Sequence, residues 1–189
     1  MTSPFALRVL PRRVALFQWR ARRLAKRLGH AWGLEAAASP ADLAALLRLA
    51  RGRREVVELG TGPAWTAIAL AIADPGRHVT SYDPVVHDHR NDYLGLVPAR
   101  VRERIRFVEA EGAAGAAAHG GGVELLFVDS THDRAATVAE LRAWEPRLVD
   151  GAVVVLHDYG HPDFPGVAQA VRELGLEGEA TGGIFAFVH

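Results

Sequence analysis

One feature constrains the fold more than any other. From residue 55 onward, short apolar runs alternate with helical patterns. Glu55–Leu59, His78–Tyr82, Ile105–Val108, Glu124–Val128 and Ala152–Leu156 read as strands. Ala64–Ala73, residues 99–104, Ala135–Trp144 and a segment opened by Pro165-Gly166 read as helices. Several of the strands are continuously apolar rather than alternating, as strands covered on both faces are. Strand–helix alternation predicts an α/β fold with a doubly wound, mostly parallel sheet and helices on both faces. Glu177–Thr181 and Ile184–Val188 predict a closing hairpin around Gly182-Gly183. The stretch His87–Pro98 reads as a polar segment, and Gly112–Gly122 as a helix and loop of low complexity.

Ahead of this body lies a segment of different character. Residues 1–34 hold eight basic residues and no acid, although the 189-residue chain is neutral overall with 22 basic and 22 acidic residues. Val14, Phe17, Ala21, Leu24 and Leu28 recur at spacings of three and four, the pattern of one helix face. The division expected is a basic helical N-terminal arm over 1–34 and a main domain over 35–189. The arm's stripe suits burial against the acidic body, which would compensate its arginines; contact with an anionic membrane or with nucleic acid is the alternative. Ser39-Pro40-Ala41-Asp42 opens a second helix, with Ser39 as cap, Pro40 in the first turn and Asp42 at the positive end of the dipole.

The chain has no cysteine, which excludes disulfide scaffolds, thiolate metal sites and cysteine nucleophiles. The longest apolar run, Ala64–Ala73, is half the length of a membrane span. The arginines interrupt any secretory leader, and the serine-rich stretch of a mitochondrial presequence is missing, so a cytoplasmic location is expected.

In open parallel sheets, ligands bind at the carboxyl ends of the strands. The first strand ends Glu58-Leu59-Gly60-Thr61-Gly62, a turn that lets backbone approach a ligand. The second ends in Asp83, an acid placed to accept both hydroxyls of a ribose. The fourth ends in Asp129-Ser130, with His132 just behind. A dinucleotide loop requires a small residue where Trp65 stands, and Glu58 opposes a pyrophosphate. A ligand with a ribose, a sulfonium and an ammonium fits better, so an NAD-dependent oxidoreductase is disfavoured.

These residues resemble class I S-adenosylmethionine-dependent methyltransferases. Val57-Glu58-Leu59-Gly60-Thr61-Gly62 is similar to their first motif. Phe127-Val128-Asp129-Ser130-Thr131-His132, Trp144, Pro146 and Val154-Val155-Leu156-His157-Asp158-Tyr159 resemble the small-molecule O-methyltransferase branch related to catechol O-methyltransferase. The resemblance covers residues 55–189. It implies a seven-stranded sheet of order 3-2-1-4-5-7-6 with the seventh strand antiparallel, preceded here by the N-terminal helical extension. It places Gly60, Thr61 and Gly62 along the cofactor's methionine end, Glu58 near its amino group, Asp83 at the ribose and Glu111 near the adenine, with Asp129 and Ser130 beside them. It implies methylation of a small-molecule hydroxyl by in-line displacement. A non-catalytic cofactor-binding module and, less favoured, a nucleic-acid methyltransferase are the alternatives.

Related metal-dependent enzymes bind magnesium through acids matching Asp129 and Asp158, but the third position here is Tyr159, so magnesium stays an open option. The other route is base catalysis by His132 or His157, since imidazole titrates near neutrality, with Asp158 adjacent. The partners expected are a small-molecule acceptor and, as an open option, a second copy of the chain. Trp65 and Tyr159 are candidates for an aromatic pocket wall, Trp144 for the core. His87, Asp88 and His89 have metal-ligand types but suit a solvated loop.

Overall fold

The computed structural model describes residues 4–189. Residues 1–3 of the expected arm lie outside the described residues. After a 3-10 turn over Pro4–Val9, helices α1 (Arg12–Leu28), α2 (Ala31–Glu35) and α3 (Pro40–Leu49) precede β1 (Glu55–Leu59). Then follow α4 (Trp65–Ala73), β2 (His78–Tyr82), α5 (Arg90–Leu94), α6 (Ala99–Arg102), β3 (Ile105–Val108), α7 (Gly112–Ala118) and β4 (Val123–Val128). The chain continues through α8 (Arg134–Trp144), β5 (Leu148–Leu156), α9 (Pro165–Glu173), β6 (Glu179–Thr181) and β7 (Ile184–Val188).

The seven strands form one sheet of order β3-β2-β1-β4-β5-β7-β6. β1 to β5 pair in parallel, and β7 runs antiparallel to both β5 and β6. Side-chain alternation splits the strands between two cores. Val56, Val79, Leu125, Phe127, Val153 and Val155 share one with α1, α3 and α4. Val57, Leu59, Leu126, Val128, Val154 and Leu156 share the other with α7, α8 and α9. This double coverage is why the strands are apolar throughout.

Local chemistry sets the helix ends. Ser39 Oγ accepts the Asp42 N–H at 3.1 Å at the start of α3, as its sequence predicts. Asp133 caps α8 by accepting from the Ala135 and Ala136 N–H groups at 2.8 and 3.1 Å. α1 ends at Gly29, whose φ of 68° is the left-handed conformation of a helix stop.

α1 buries Val14, Phe17, Ala21 and Ala25 in the core shared with α4. Its cations behave otherwise than expected. Among the described residues, none of Arg12, Arg13, Arg20, Arg23 and Arg27 forms an ion pair with the body, and Arg23 lies over the ring of Trp19 at 4.8 Å. The polar stretch 87–98 also differs from a plain loop. It holds α5, because Tyr93 is fully buried, edge-on to Trp65 and hydrogen-bonded through its hydroxyl to His30 Nδ1 at 2.7 Å.

Candidate functional site

The carboxyl ends of β1, β2, β4 and β5 open into one cavity of about 960 Å³. Gly60, Thr61, Gly62, Asp83, Glu111, Asp129, Ser130, His132, His157 and Asp158 all line it. Glu58 is absent from the wall.

The turn after β1 is pinned from both sides. The Gly60 N–H donates to the Tyr82 carbonyl, and the Asp129 N–H donates to the Leu59 carbonyl, each at 2.8 Å. Gly60 has a φ of 94°, and a Cβ there would lie 2.1 Å from the Asp129 carbonyl oxygen. No other residue type fits that approach. Asp83 organises the same turn: Oδ2 accepts the Gly62 N–H at 3.0 Å and Oδ1 the Val85 N–H at 2.9 Å. His87 Nε2 is 3.4 Å from Asp83 Oδ2, and its ring stacks on Trp32 at 4.4 Å.

Glu58 lies behind the turn. The sheet register sets it opposite Ser81, whose hydroxyl donates to Glu58 Oε2 and is 2.6 Å from Thr61 Oγ1. The Thr61 hydroxyl is therefore turned inward, and the residue meets the cavity alongside the glycines. Burial pushes the Glu58 carboxyl up to about 8; the Ser81 hydroxyl pulls against this, and Asp129 and Asp83 add to it. On the far side of the cavity, Ser130 Oγ donates to Glu140 Oε2 at 2.8 Å, and burial raises the Glu140 carboxyl. Glu111 precedes the first residue of α7.

Where β4 and β5 end, two acids and two imidazoles meet. Asp129 Oδ1 is 2.8 Å from His157 Nδ1 and 3.2 Å from His132 Nε2. Asp158 Oδ2 is 3.1 Å from His132 Nε2 and 3.5 Å from His157 Nδ1. Asp129, His132, His157 and Asp158 each bring one donor atom within 4.8 Å of the others. His132 and Asp158 hold φ values of 57° and 54°, which bulky L-residues seldom adopt and which cluster at working sites.

The electrostatics of this cluster are asymmetric. Burial opposes a charged ring at His157, yet Asp129, Asp42 and Asp158 hold its pKa well above the ordinary histidine value. Burial likewise opposes charge on Asp129, but the two imidazoles hold it below the usual carboxylate range. His157 thus keeps its proton at neutral pH, in conflict with the role of base. His132 offers its Nε2 to the two carboxylates.

Some of this wall was not anticipated from the sequence. Asp42, read as a helix-dipole acid, lines the cavity 3.9 Å from His157 Nε2. Opposite His157, and bonded by Ser39 Oγ and the Gly183 N–H, it is held down to about 2 despite its burial. Trp32, Glu140 and Phe164 also line the cavity. Trp65 lines it as expected, whereas Tyr159 packs on Phe185 at 4.9 Å, away from the wall, as the second core requires. Trp144 is fully buried and donates Nε1–H to the Gly112 carbonyl at 2.8 Å.

Residues 57–159 match a family model described as a methyltransferase domain. No curated protein matches the chain. Solved structures do match at the level of fold. An O-methyltransferase from Bacillus cereus in complex with S-adenosylhomocysteine is 16% identical with a TM-score of 0.66, over 88% of this chain and 90% of that one. The O-methyltransferase TomG from Streptomyces achromogenes, involved in tomaymycin synthesis and bound to S-adenosylmethionine, is 20% identical with a TM-score of 0.62, over 80% and 81%. A TDP-rhamnose 3′-O-methyltransferase of calicheamicin biosynthesis is 18% identical with a TM-score of 0.61, over 78% and 76%. No described helix is long and apolar enough to cross a membrane.

Proposed function

The chain belongs to the methyltransferase-domain family of class I, S-adenosylmethionine-dependent enzymes, and from that membership we propose that it methylates a hydroxyl oxygen of a small molecule. The cofactor supplies the activated methyl group; the protein has to align, exclude water and take a proton. Gly60 and Gly62 offer a bare backbone to the methionine end. Asp83 spends one lone pair of each oxygen on Gly62 and Val85, and the remaining lone pairs can accept the ribose hydroxyls. Glu111, Gly112 and Ala113 form the wall on the adenine side. Glu58 acts from behind, bracing the turn through Ser81.

His132 is the general base. The observation that carries this reading is the geometry of its ring: Nε2 faces Asp129 and Asp158 at 3.2 and 3.1 Å. With the ring proton on Nε2 and bonded to those carboxylates, Nδ1 carries the free lone pair. S-adenosylmethionine, when bound, would supply the methyl group to the acceptor oxygen, and Nδ1 of His132 would take the acceptor's proton. His157, kept protonated between Asp129 and Asp42, is a fixed positive charge that orients both acids.

Magnesium fits this donor set poorly. It prefers oxygen ligands, two of the four donors are imidazoles, and Tyr159 faces away from the position of a third acid. No step is assigned to it. The same four donors suit a softer divalent ion, so a metal-assisted variant is the second reading.

The test is calorimetric titration with S-adenosylmethionine and with NAD, followed by mass detection of methylated acceptors with and without chelator. Binding of S-adenosylmethionine and turnover in chelator are expected. Tighter NAD binding overturns the proposal, and activity lost in chelator but restored by a divalent ion selects the metal-assisted reading.

A further inference from the structure

We propose that the outer face of α1 is a docking surface for an anionic phospholipid bilayer, an interaction separate from the chemistry of the cavity. Residues 1–34 hold eight of the 22 basic residues and none of the 22 acids. Arg12, Leu16, Trp19, Arg23 and Arg27 follow one another at intervals of three and four and share one exposed face of the helix. Arg20 and Lys26, also exposed, flank that face on either side. The strip runs along the helix axis for about 22 Å.

The body does not neutralise these cations. The inner face of α1 buries Val14, Phe17, Ala21 and Ala25 and packs on α4, and no residue of α4 is charged. Among the described residues, Arg12, Arg20, Arg23, Lys26 and Arg27 form no ion pair. Like charges one turn apart, such as Arg23 and Arg27, repel along the helix, and an anionic surface relieves that repulsion. The remaining 14 basic residues and all 22 acids lie in residues 35–189. A negative bilayer therefore attracts the arm and repels the body, which fixes the side the molecule presents.

Lipid is favoured over nucleic acid by the apolar side chains among the cations. Leu16 and Trp19 remain 47% and 45% exposed in the middle of the strip. Tryptophan belongs at the headgroup level of a bilayer, and arginine stems are long enough to hold their charges among the phosphates while Leu16 and Trp19 enter the acyl boundary. Reversible anchoring of this kind needs both signals, apolar burial and a basic patch. A nucleic-acid backbone would pair the cations but leave Leu16 in water. Single strands are bound in charged grooves lined with open aromatic rings, whereas this strip is the outside of a helix and the Trp19 ring already carries the Arg23 guanidinium at 4.8 Å.

The experiment is flotation of the full chain with vesicles of phosphatidylcholine, either pure or containing about one-third phosphatidylglycerol. Binding to the mixed vesicles is expected to be at least roughly 100-fold tighter than to the neutral ones, and to weaken about tenfold or more at high salt. Each cation near such a surface is worth roughly fivefold in partition, so Arg20→Gln, Arg23→Gln and Arg27→Gln together should lose on the order of 100-fold. Leu16→Ser with Trp19→Ser keeps every charge and should still lose about tenfold or more. Lipids brominated along the acyl chain should quench the parent's tryptophan emission, and Trp19→Phe should remove most of that quenching. The changed side chains are exposed, so melting temperature and S-adenosylhomocysteine affinity should match the parent in every variant. Equal binding to the two vesicle types, no binding to either, or an unaltered affinity in the charge-conserving double variant overturns the proposal. Tighter binding of a transfer RNA or a DNA duplex than of the mixed vesicles overturns it in favour of nucleic acid. A dimer in light scattering that the same double variant dissociates overturns it in favour of a second copy of the chain. None of these outcomes touches the reading of the cavity, which stands or falls on cofactor binding.

Discussion

Gly60→Ala puts the cofactor turn to its sharpest test. The added Cβ would sit 2.1 Å from the Asp129 carbonyl oxygen and 2.7 Å from its carbon. Relief requires a shift of about 1 Å or more, since ordinary non-bonded contacts lie near 3.5 Å. Neither strand end can drift freely, because the Gly60 and Asp129 N–H groups are both bonded across the sheet. Overpacking of this kind costs about 1–3 kcal/mol, and an L-residue held at a positive φ adds about 1–2 kcal/mol. A total of about 2–5 kcal/mol corresponds to a fall in melting temperature of roughly 5–15 °C for a domain of this size. Gly62→Ala is the control. Its φ is also positive, at 48°, but the nearest atom to its Cβ is 3.6 Å away, so only the backbone cost of about 1 kcal/mol applies. Differential scanning calorimetry reads both variants, and titration with S-adenosylhomocysteine should show Gly60→Ala weakened on the order of 10²-fold, as displacement of an aligned site by an ångström does. If Gly60→Ala matched Gly62→Ala in melting temperature and in affinity, the reasoning from close approach would be refuted.

Other expectations follow from the same site. His132→Gln should lower the methyl-transfer rate by about 10²–10⁴ with S-adenosylhomocysteine affinity retained; single-turnover kinetics check this, and an unchanged rate assigns the proton elsewhere. Glu58→Gln removes a carboxyl whose pKa is raised to about 8. A raised acid destabilises the fold as pH climbs from its unfolded value, about 4.3, through 8. The variant should therefore match the parent at pH 4 and exceed it at pH 8 in urea melts, and a constant difference across that range would show that Glu58 is not protonated. In metal-free protein the His157–Asp129 pair bounds a plateau of stability. The histidine pKa is raised, so its contribution is complete below about 6.5 and is lost as pH rises beyond that. The acid pKa is lowered, so its contribution is complete above about 3.9 and is lost on acidification. His157→Asn should flatten the alkaline decline, and an unaltered profile would refute the pairing.

The sheet was legible because its signals are local. A strand covered on both faces must be apolar along its length, and Val56-Val57 or Leu125 to Val128 can hardly be anything else. The glycine turn and the acids Asp83, Asp129 and Asp158 were legible because strand ends carry ligands, and all four line the cavity. What escaped is non-local. Asp42 lies 115 positions before His157, and nothing in its helix-start pattern announces the contact. Glu58 has the right type for a cofactor contact, but strand alternation and Ser81 opposite hold it behind the turn. Tyr159, next to Asp158 in sequence, suggests a wall residue, yet its ring goes to Phe185. The protonation of His157 depends on three carboxylates from three separate segments. α5 was hidden because its one buried residue, Tyr93, pairs with His30 at a distance of 63 positions.

The position of Asp42 ties remote stretches of polypeptide together. Its carboxylate receives the Gly183 amide at 3.0 Å and the Ser39 hydroxyl at 2.7 Å, and it faces His157. A bend near the tail and a helix near the head are thereby soldered to the reaction centre through a single side chain. Loosening the tail's hairpin, for instance by lengthening the loop at 182–183, should be felt as a reoriented imidazole deep inside the molecule, although neither Gly182 nor Gly183 lines the cavity.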